Sequence, residues 1–300
     1  MTLSILIPTY NDSCLALANN LQRQIDDLIT SRKNVGVELI IADDCSTNSA
    51  IIEENSKINS LQNCRVIRAE HNLGRAGIRN FLADNAKGDW LLFIDGDMKM
   101  KNDKFLEKYI DSIVDTETQV VYGGYCIDNS NEDNLKGNLR YKAEREAESK
   151  KTLSARKNHP YNHFHTANFL IRSDIFHKIR FNDEMKLYGF EDVLFGKQLK
   201  ENGFAIKHID NPVYFVDFET NAEYLRKTEE SIKTQQQFAD LIGDYSTLIR
   251  THRTIKNLHL IWLLTIINKC FGSKIKANIL GNNPSLFAFK LYKLLKMTKG

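Results

Sequence analysis

The chain has 300 residues, 42% hydrophobic and 26% charged, an ordinary globular composition that can bury a sizeable core and excludes wholesale disorder or a coiled coil. With 15 glycines and 4 prolines it is no collagen-like repeat. The net charge of +3 is uneven: residues 245–300 hold ten Lys and Arg and no Asp or Glu, which leaves residues 1–244 at −7. No apolar run reaches the ~20 residues of a membrane span, and Met1–Ser4 lacks the charged-then-apolar layout of a signal peptide. Five cysteines without a CxxC pair read as reduced cytosolic thiols, not as a disulfide frame or zinc site.

Leu3–Ile7 is a short apolar run before Pro8 and reads as a buried strand. Leu17, Leu21, Ile25 and Leu28 follow at helical spacing, and Val37–Ala42 is a second strand ending in Asp43-Asp44. A helix through Ile51, Ile52 and Ile58 leads to a strand at Cys64–Arg68. A helix over Gly74–Ala86 then delivers the very apolar Trp90–Ile94. Alternating strands and helices, with strands apolar throughout, predict an α/β fold with a mainly parallel sheet between helices. Residues 130–160 are polar and read as a solvated helix and a loop. A strand at Ala167–Ile171, a helix over Asp192–Asn202 and strands near Ala205–His208 and Val213–Val216 complete the body, and only helices are expected beyond Asn221.

Ligands of open α/β sheets bind beyond the carboxyl ends of the strands, and there the polar residues gather. The first strand ends in Pro8-Thr9-Tyr10-Asn11-Asp12, the second in Asp43-Asp44-Cys45-Ser46, the fourth in Asp95-Gly96-Asp97. Two carboxylates around one Gly suit a hard cation such as Mg²⁺ or Mn²⁺; the competing reading is a charged turn before the helix near Asp103. Asn72–Asn80 sets Gly74, Gly77, Arg75 and Arg79 at a helix start, a cradle for a diphosphate or a solvated helix end. Glu191-Asp192 opens another helix, as a pair favoured by the dipole or as a general base. His163 and His165 read as a pocket or surface feature more than a metal pair, and His208 as structural.

In order, Ile5–Asn11, Asp43–Ser46, Asn72–Asn80, Asp95-Gly96-Asp97 and Glu191-Asp192 resemble the family-2 inverting glycosyltransferases of the GT-A fold, over roughly residues 2–230. The resemblance implies a catalytic domain at 1–220, a Rossmann-like, mainly parallel sheet flanked by helices, and a helical, basic extension at 221–300. It implies donor binding by Pro8, Thr9, Tyr10, Asn11, Asp44, Asn72, Gly74, Arg75, Arg79 and Asp95. Asp97 becomes the main ligand of a divalent Mn²⁺ or Mg²⁺ with Asp95 beside it, and Asp192 the base with Glu191 as its neighbour. Relatives often carry a metal-binding His after an Asn-Pro-Val segment; here that position is Phe215, with Asp217 or a water as the substitute ligand, or a weaker hold on the metal. Cys45 stands where the family commonly has Gly, and Phe190 where close relatives carry His.

The implied activity is metal-dependent, inverting transfer of a hexosyl or N-acetylhexosaminyl group from a nucleotide-sugar donor, UDP-linked, to a saccharide or lipid-linked acceptor in surface polysaccharide biosynthesis. The alternatives are a catalytically weakened nucleotide-sugar-binding scaffold, motivated by Phe215, and a nucleotidyltransferase, whose Gly-rich, Lys-containing opening loop is absent.

The tail interleaves Phe287, Phe289, Leu291, Tyr292, Leu294 and Leu295 with Lys290, Lys293 and Lys296. That pattern suits a helix in an anionic membrane interface; the competing reading is a helix packed on the catalytic domain with its lysines solvated. Leu258–Ile267 is too short to cross a bilayer. The expectation is a cytoplasmic protein with a peripheral hold on the cytoplasmic membrane face, and no nucleic-acid partner, since no such motif occurs.

Overall fold

The apolar run Leu3–Ile7 forms the centre of β1 (Thr2–Thr9), which continues one residue past Pro8. Pro8 is tolerated because β4 pairs only with Leu3–Leu6, so no ladder bond is asked of the missing N–H on that side. The computed structural model describes residues 1–115 and 117–298; Lys299 of the basic tail lies outside them. In chain order β1 is followed by α1 (Leu15–Ser31), β2 (Gly36–Asp43), α2 (Ser49–Ser56), β3 (Cys64–Arg68), α3 (Gly74–Asp84), β4 (Trp90–Ile94), β5 (Met98–Lys99) and α4 (Phe105–Ser112). Then come β6 (Val120–Tyr122), β7 (Tyr125–Ile127), α5 (Glu132–Leu135), α6 (Leu139–Glu148), α7 (Leu153–Asn158), β8 (Asn168–Arg172), α8 (Ser173–Ile179), α9 (Glu191–Glu201), β9 (Ile206–His208) and β10 (Val213–Phe215). The remainder is helical: α10 (Asn221–Gln237), α11 (Ala239–Ile242), α12 (Thr247–Asn257), α13 (Ile261–Leu280) and α14 (Leu286–Met297). They form two compact units, one of residues 1–126, 151–186 and 191–216, the other of 127–150, 187–190 and 217–298.

The first unit is built on a seven-stranded sheet of order β3-β2-β1-β4-β8-β6-β9. β3, β2, β1 and β4 are parallel, so their carboxyl ends share one edge. β8 runs antiparallel to both β4 and β6, a reversal inside the otherwise mainly parallel sheet. The residues just before β8 therefore arrive at the edge where β4 ends, and Asp95 N–H donates to Ala167 O at 3.1 Å.

Stacked rings hold this junction rigid. Phe93 and Phe169 lie 4.8 Å apart between centroids and Phe181 and Phe195 4.3 Å, all buried with Phe176, and each such pair adds about 1 kcal/mol to the burial itself. Asn168 ties the strand down: its Nδ2 donates to Gly124 O and Asn211 O, both at 2.8 Å, while Tyr109 Oη donates to its Oδ1 at 2.6 Å. A second sheet of order β5-β10-β7 is small, and buries Phe215.

In the second unit Leu139, Leu225, Ile279, Phe289 and Tyr292 form a core. α10 starts with a capping box between Thr220 and Glu223. The stretch 130–160 is less solvated than its polarity suggests, because α6 turns Leu139 and Tyr141 inward and Arg156 of α7 is buried in the first unit. α14 packs within its own unit, with two of its lysines paired rather than solvated. It buries Phe289, Tyr292, Leu295 and Met297, Lys290 reaches Glu146 at 2.5 and 2.8 Å, and Lys296 reaches Glu229 at 2.9 Å. All five cysteines are free. Among the described residues no helix is long and apolar enough to cross a membrane.

Candidate active site

The turn after β1 and the turn after β2 are stitched together by one side chain. Asn11, in the left-handed region at φ 56°, accepts from Thr47 N and Asn48 N at 2.9 Å through Oδ1, and its own N–H donates to Ser46 Oγ at 2.7 Å. Thr9 is buried and donates to Asp12 O at 2.8 Å, whereas Tyr10 is 48% exposed, a ring open to a flat partner. Asp44 is drawn to the start of α3, accepting from Leu73 N at 2.6 Å and Gly74 N at 3.0 Å; Asn72 Nδ2 donates to Asp44 O at 3.1 Å. Burial raises the Asp44 carboxyl above its ordinary range, against the pull of those two amides. Gly74 has φ +73°, a conformation other residues adopt at a cost.

Gly96 serves by lacking a side chain rather than by an unusual backbone. A Cβ there would stand 2.9 Å from Pro8 O and from Cys14 Sγ, so the Asp95–Asp97 turn can press against the end of β1 only with Gly between the two acids.

The carboxylates fall into two kinds. Asp95 is buried and ion-paired with the buried Arg79 guanidinium, with Arg75 at 3.8 Å. Burial raises its carboxyl, but the two guanidinium charges outweigh that and hold it below the usual range. Glu191, also buried, takes Arg75 Nε at 2.5 Å; there too burial is outweighed by Arg75 and Arg79. The arginines expected to cradle a diphosphate are thus engaged with acids of the same site, Arg79 fully enclosed and Arg75 38% exposed.

Asp97 and Asp192 are the other kind, and neither makes an ion pair with Lys or Arg among the described residues. The Asp97 side chain reaches solvent, yet protein crowds its carboxyl and pushes it up to about 6, with Asp95 and Asp12 adding to the rise and Arg75 opposing it. Asp192 is raised first by burial, with Glu191 adding to it and His165 opposing. His165 Nε2 stands 3.3 Å from Asp192 Oδ2, its ring 5.0 Å from that of Tyr125. Burial lowers the imidazole, against the pull of Asp192, and so favours its neutral form. Ala167 N–H donates to Nδ1 at 3.3 Å, which places the remaining proton on Nε2, facing Asp192.

His165 is the residue that sequence reasoning under-read. It stood out as half of an H-x-H, but its pairing with Asp192 depends on the direction of β8, which an apolar run does not reveal. His163 sits instead near His159, with ring centroids 6.5 Å apart, and His208 Nε2 meets Pro160 O at 3.1 Å in a buried place. Asp217 is exposed and belongs to the second unit.

A divalent cation fits this edge in one way. Among the described residues no three acids, histidines or cysteines gather into a site that could hold a metal by themselves. The uncompensated Asp97 is a single carboxylate whose raised carboxyl a cation would relieve, which suits an ion completed by phosphate oxygens and water.

A parallel sheet opening at its carboxyl edge onto acid turns, crossed by one reversed strand that completes the site, is the GT-A class of α/β fold. The family model for Glycosyl transferase family 2 matches residues 4–180, and the chain belongs to that family. It is 36% identical over 108 residues to an uncharacterized glycosyltransferase of Haemophilus influenzae, covering 35% of this chain and 33% of that protein. It is 30% identical over 129 residues to the putative teichuronic acid biosynthesis glycosyltransferase TuaG of Bacillus subtilis, covering 41% and 46%. The matches thus span a third to a half of these relatives' length. Among solved structures, residues 1–349 of S. aureus TarS in complex with UDP-GlcNAc align with a TM-score of 0.56 at 16% identity, over 99% of this chain and 90% of that one. The mannosyltransferase PcManGT of Pyrobaculum calidifontis, in complex with GDP-Man and Mn²⁺, aligns at 0.58 and 13%, over 99% and 86%. Likeness at this identity is likeness of fold.

Proposed function

We propose that the protein transfers a hexosyl or N-acetylhexosaminyl group from a UDP-linked donor to a saccharide or lipid-linked acceptor, with inversion at the sugar carbon, in the building of a surface polysaccharide. On this reading residues 1–220 carry the chemistry and 221–300 form a helical, basic extension. The observation that carries it is the division of the four carboxylates. Asp95 and Glu191 are neutralised by Arg79 and Arg75, while among the described residues Asp97 and Asp192 make no ion pair with Lys or Arg. One of the latter suits a cation and the other a proton.

Asp192 is the base. Its carboxylate takes the proton of the acceptor hydroxyl as that oxygen forms a bond to the sugar carbon, and the bond from that carbon to the diphosphate breaks with its electrons leaving on the phosphate. His165, donating from Nε2, keeps the Asp192 carboxylate turned and ionised. Asp97, with Asp95 beside it, is where Mn²⁺ or Mg²⁺ would be held, and such an ion supplies neutralisation of the departing diphosphate's charge. On this reading Tyr10, Asn11 and Asp44 take the base and ribose, and Asn72, Gly74 and Arg75 the diphosphate. Phe215, buried in β10, contributes no ligand.

The experiment is a screen of UDP-sugars with UDP release as readout, on the wild type and Asp192→Asn. Turnover of at least one donor, cut by ~10²-fold or more in the variant with UDP affinity unchanged, is the expected result. Binding of UDP without turnover of any donor would replace transfer with a scaffold role, and equal turnover in both proteins would move the base elsewhere.

A further inference from the structure

We propose that the second unit docks on an anionic lipid surface through α13 and the turn before it, not through α14. Twenty residues make up α13, yet only Leu264 and Ile279 are buried. Leu258 and Leu260 in the preceding turn are 60% and 37% exposed, and Trp262, Leu263, Ile266 and Phe271 on the helix 58%, 40%, 49% and 53%. At about 100° per residue, Trp262, Ile266 and Leu263 fall within one ~100° arc, on the side away from Leu264 and Ile279. The helix is therefore apolar on the face it packs and again on the face it leaves open. Phe271 lies off that arc, about 180° from Trp262, but an exposed apolar stripe such as the other three form marks a surface that meets another apolar phase.

Charge decides which phase. Lys256, Lys269, Lys274 and Lys276 border the patch, all exposed and none in an ion pair among the described residues. Lys269 and Lys276 flank the arc on one side and Lys274 on the other. A second copy of this chain would set lysine against lysine across a two-fold contact, with no Asp or Glu in residues 245–300 to answer them. A bilayer rich in anionic headgroups answers both features at once, taking the apolar side chains into the headgroup boundary while the lysines stay at the phosphates. Lying in the interface, rather than crossing it, agrees with the charges along α13. α14, which carries the same alternation of aromatic and basic residues, has spent most of it on its own unit: Phe289 and Tyr292 are in the core and two of its lysines meet Glu146 and Glu229, while Phe287 of its rings stays exposed. The inference stands apart from the transfer reading, since it concerns the other unit and a lipid phase.

The test is co-sedimentation of the full chain with vesicles of phosphatidylcholine alone and of equimolar phosphatidylcholine and phosphatidylglycerol. Pelleting with the anionic vesicles only, released near ~1 M salt, is expected. It should weaken by about tenfold or more in Trp262→Glu/Ile266→Glu and in Lys269→Glu/Lys274→Glu/Lys276→Glu. These side chains are exposed, so melting temperatures should match the wild type; should the first variant fail to fold, the second carries the test alone. Equal binding to both vesicle types, binding to neither, or binding unaffected by the variants overturns the proposal. So does a concentration-dependent dimer in sedimentation velocity that Trp262→Glu/Ile266→Glu abolishes without any vesicle binding.

Discussion

His165 Nε2 faces Asp192 Oδ2 at 3.3 Å, with Nδ1 of the same ring receiving the N–H of Ala167. A backbone amide that fixes one nitrogen as an acceptor makes the other a donor, so the carboxylate of Asp192 is held by a neutral N–H rather than by a full positive charge. Its charge is thereby supported without being cancelled.

That relationship predicts the pH dependence of transfer. Burial raises the Asp192 carboxyl, so the base is protonated, and activity lost, at a higher pH than an ordinary carboxylate would set. His165 opposes the rise. His165→Ala should move the acidic limb of the kcat profile to higher pH and lower kcat at pH 6 more than at pH 8, with donor KM unchanged. His165→Gln, which can still donate, should restore part of the difference. A uniform drop at every pH, or a limb that stays in place, would reduce His165 to a packing role.

Asp97 gives a prediction about metal that needs no turnover. Its carboxyl sits at about 6 in the fold against an ordinary 3.8, so the ionised form costs the folded state stability above pH 6, and that cost vanishes as pH falls below the ordinary value. Without metal, Asp97→Asn should therefore melt higher than wild type at pH 7.5 and equal to it near pH 3.5. Added Mn²⁺ with UDP should raise the wild-type melting temperature and leave the variant's response near that of UDP alone. An equal Mn²⁺ response in both proteins would place the cation elsewhere.

The strand-end acids were legible because each follows an apolar run directly: Ile94 is followed by Asp95, and Ala42 by Asp43-Asp44. Their division into paired and unpaired acids was not, since Arg75 and Arg79 lie as well placed for a phosphate as for Asp95 and Glu191 until the turn of α3 is fixed. Strand direction was hidden too, because Phe169–Ile171 is equally apolar read either way, and with it went the arrival of His165. In the tail, α13 and α14 carry the same kind of residues. Contacts far off in sequence, with Leu139 and Leu225 as well as Glu146 and Glu229, separate the helix that packs from the one that keeps its face open.

Arg79 and Asp95 form a buried ion pair, and removing one partner from such a pair leaves an uncompensated charge. Arg79→Met should lower unfolding stability by about 3–5 kcal/mol at pH 8. The loss should shrink toward pH 5, because Asp95 without its guanidinium shifts upward and takes up a proton. Arg79→Met with Asp95→Asn should recover much of the loss. Urea midpoints across pH measure all three, and a pH-independent loss would mean that Arg79 acts by its packing against Phe181, 5.9 Å from that ring.

Cys45 holds φ 63° in the turn after β2, where a side chain costs roughly 1–2 kcal/mol. Glycine removes that strain and returns roughly 0.5–1 kcal/mol to the unfolded chain as extra freedom. Little else is lost with the thiol, whose contact with Glu70 O is a long 3.9 Å. Cys45→Gly should therefore stabilise the protein by about 0.5–1 kcal/mol, seen as a higher urea midpoint with an unchanged slope. The ties from Asp44 to Leu73 and Gly74 do not involve the Cys45 side chain, so UDP affinity should hold. A destabilised variant would show that the Cys45 side chain contributes packing worth more than the strain it brings.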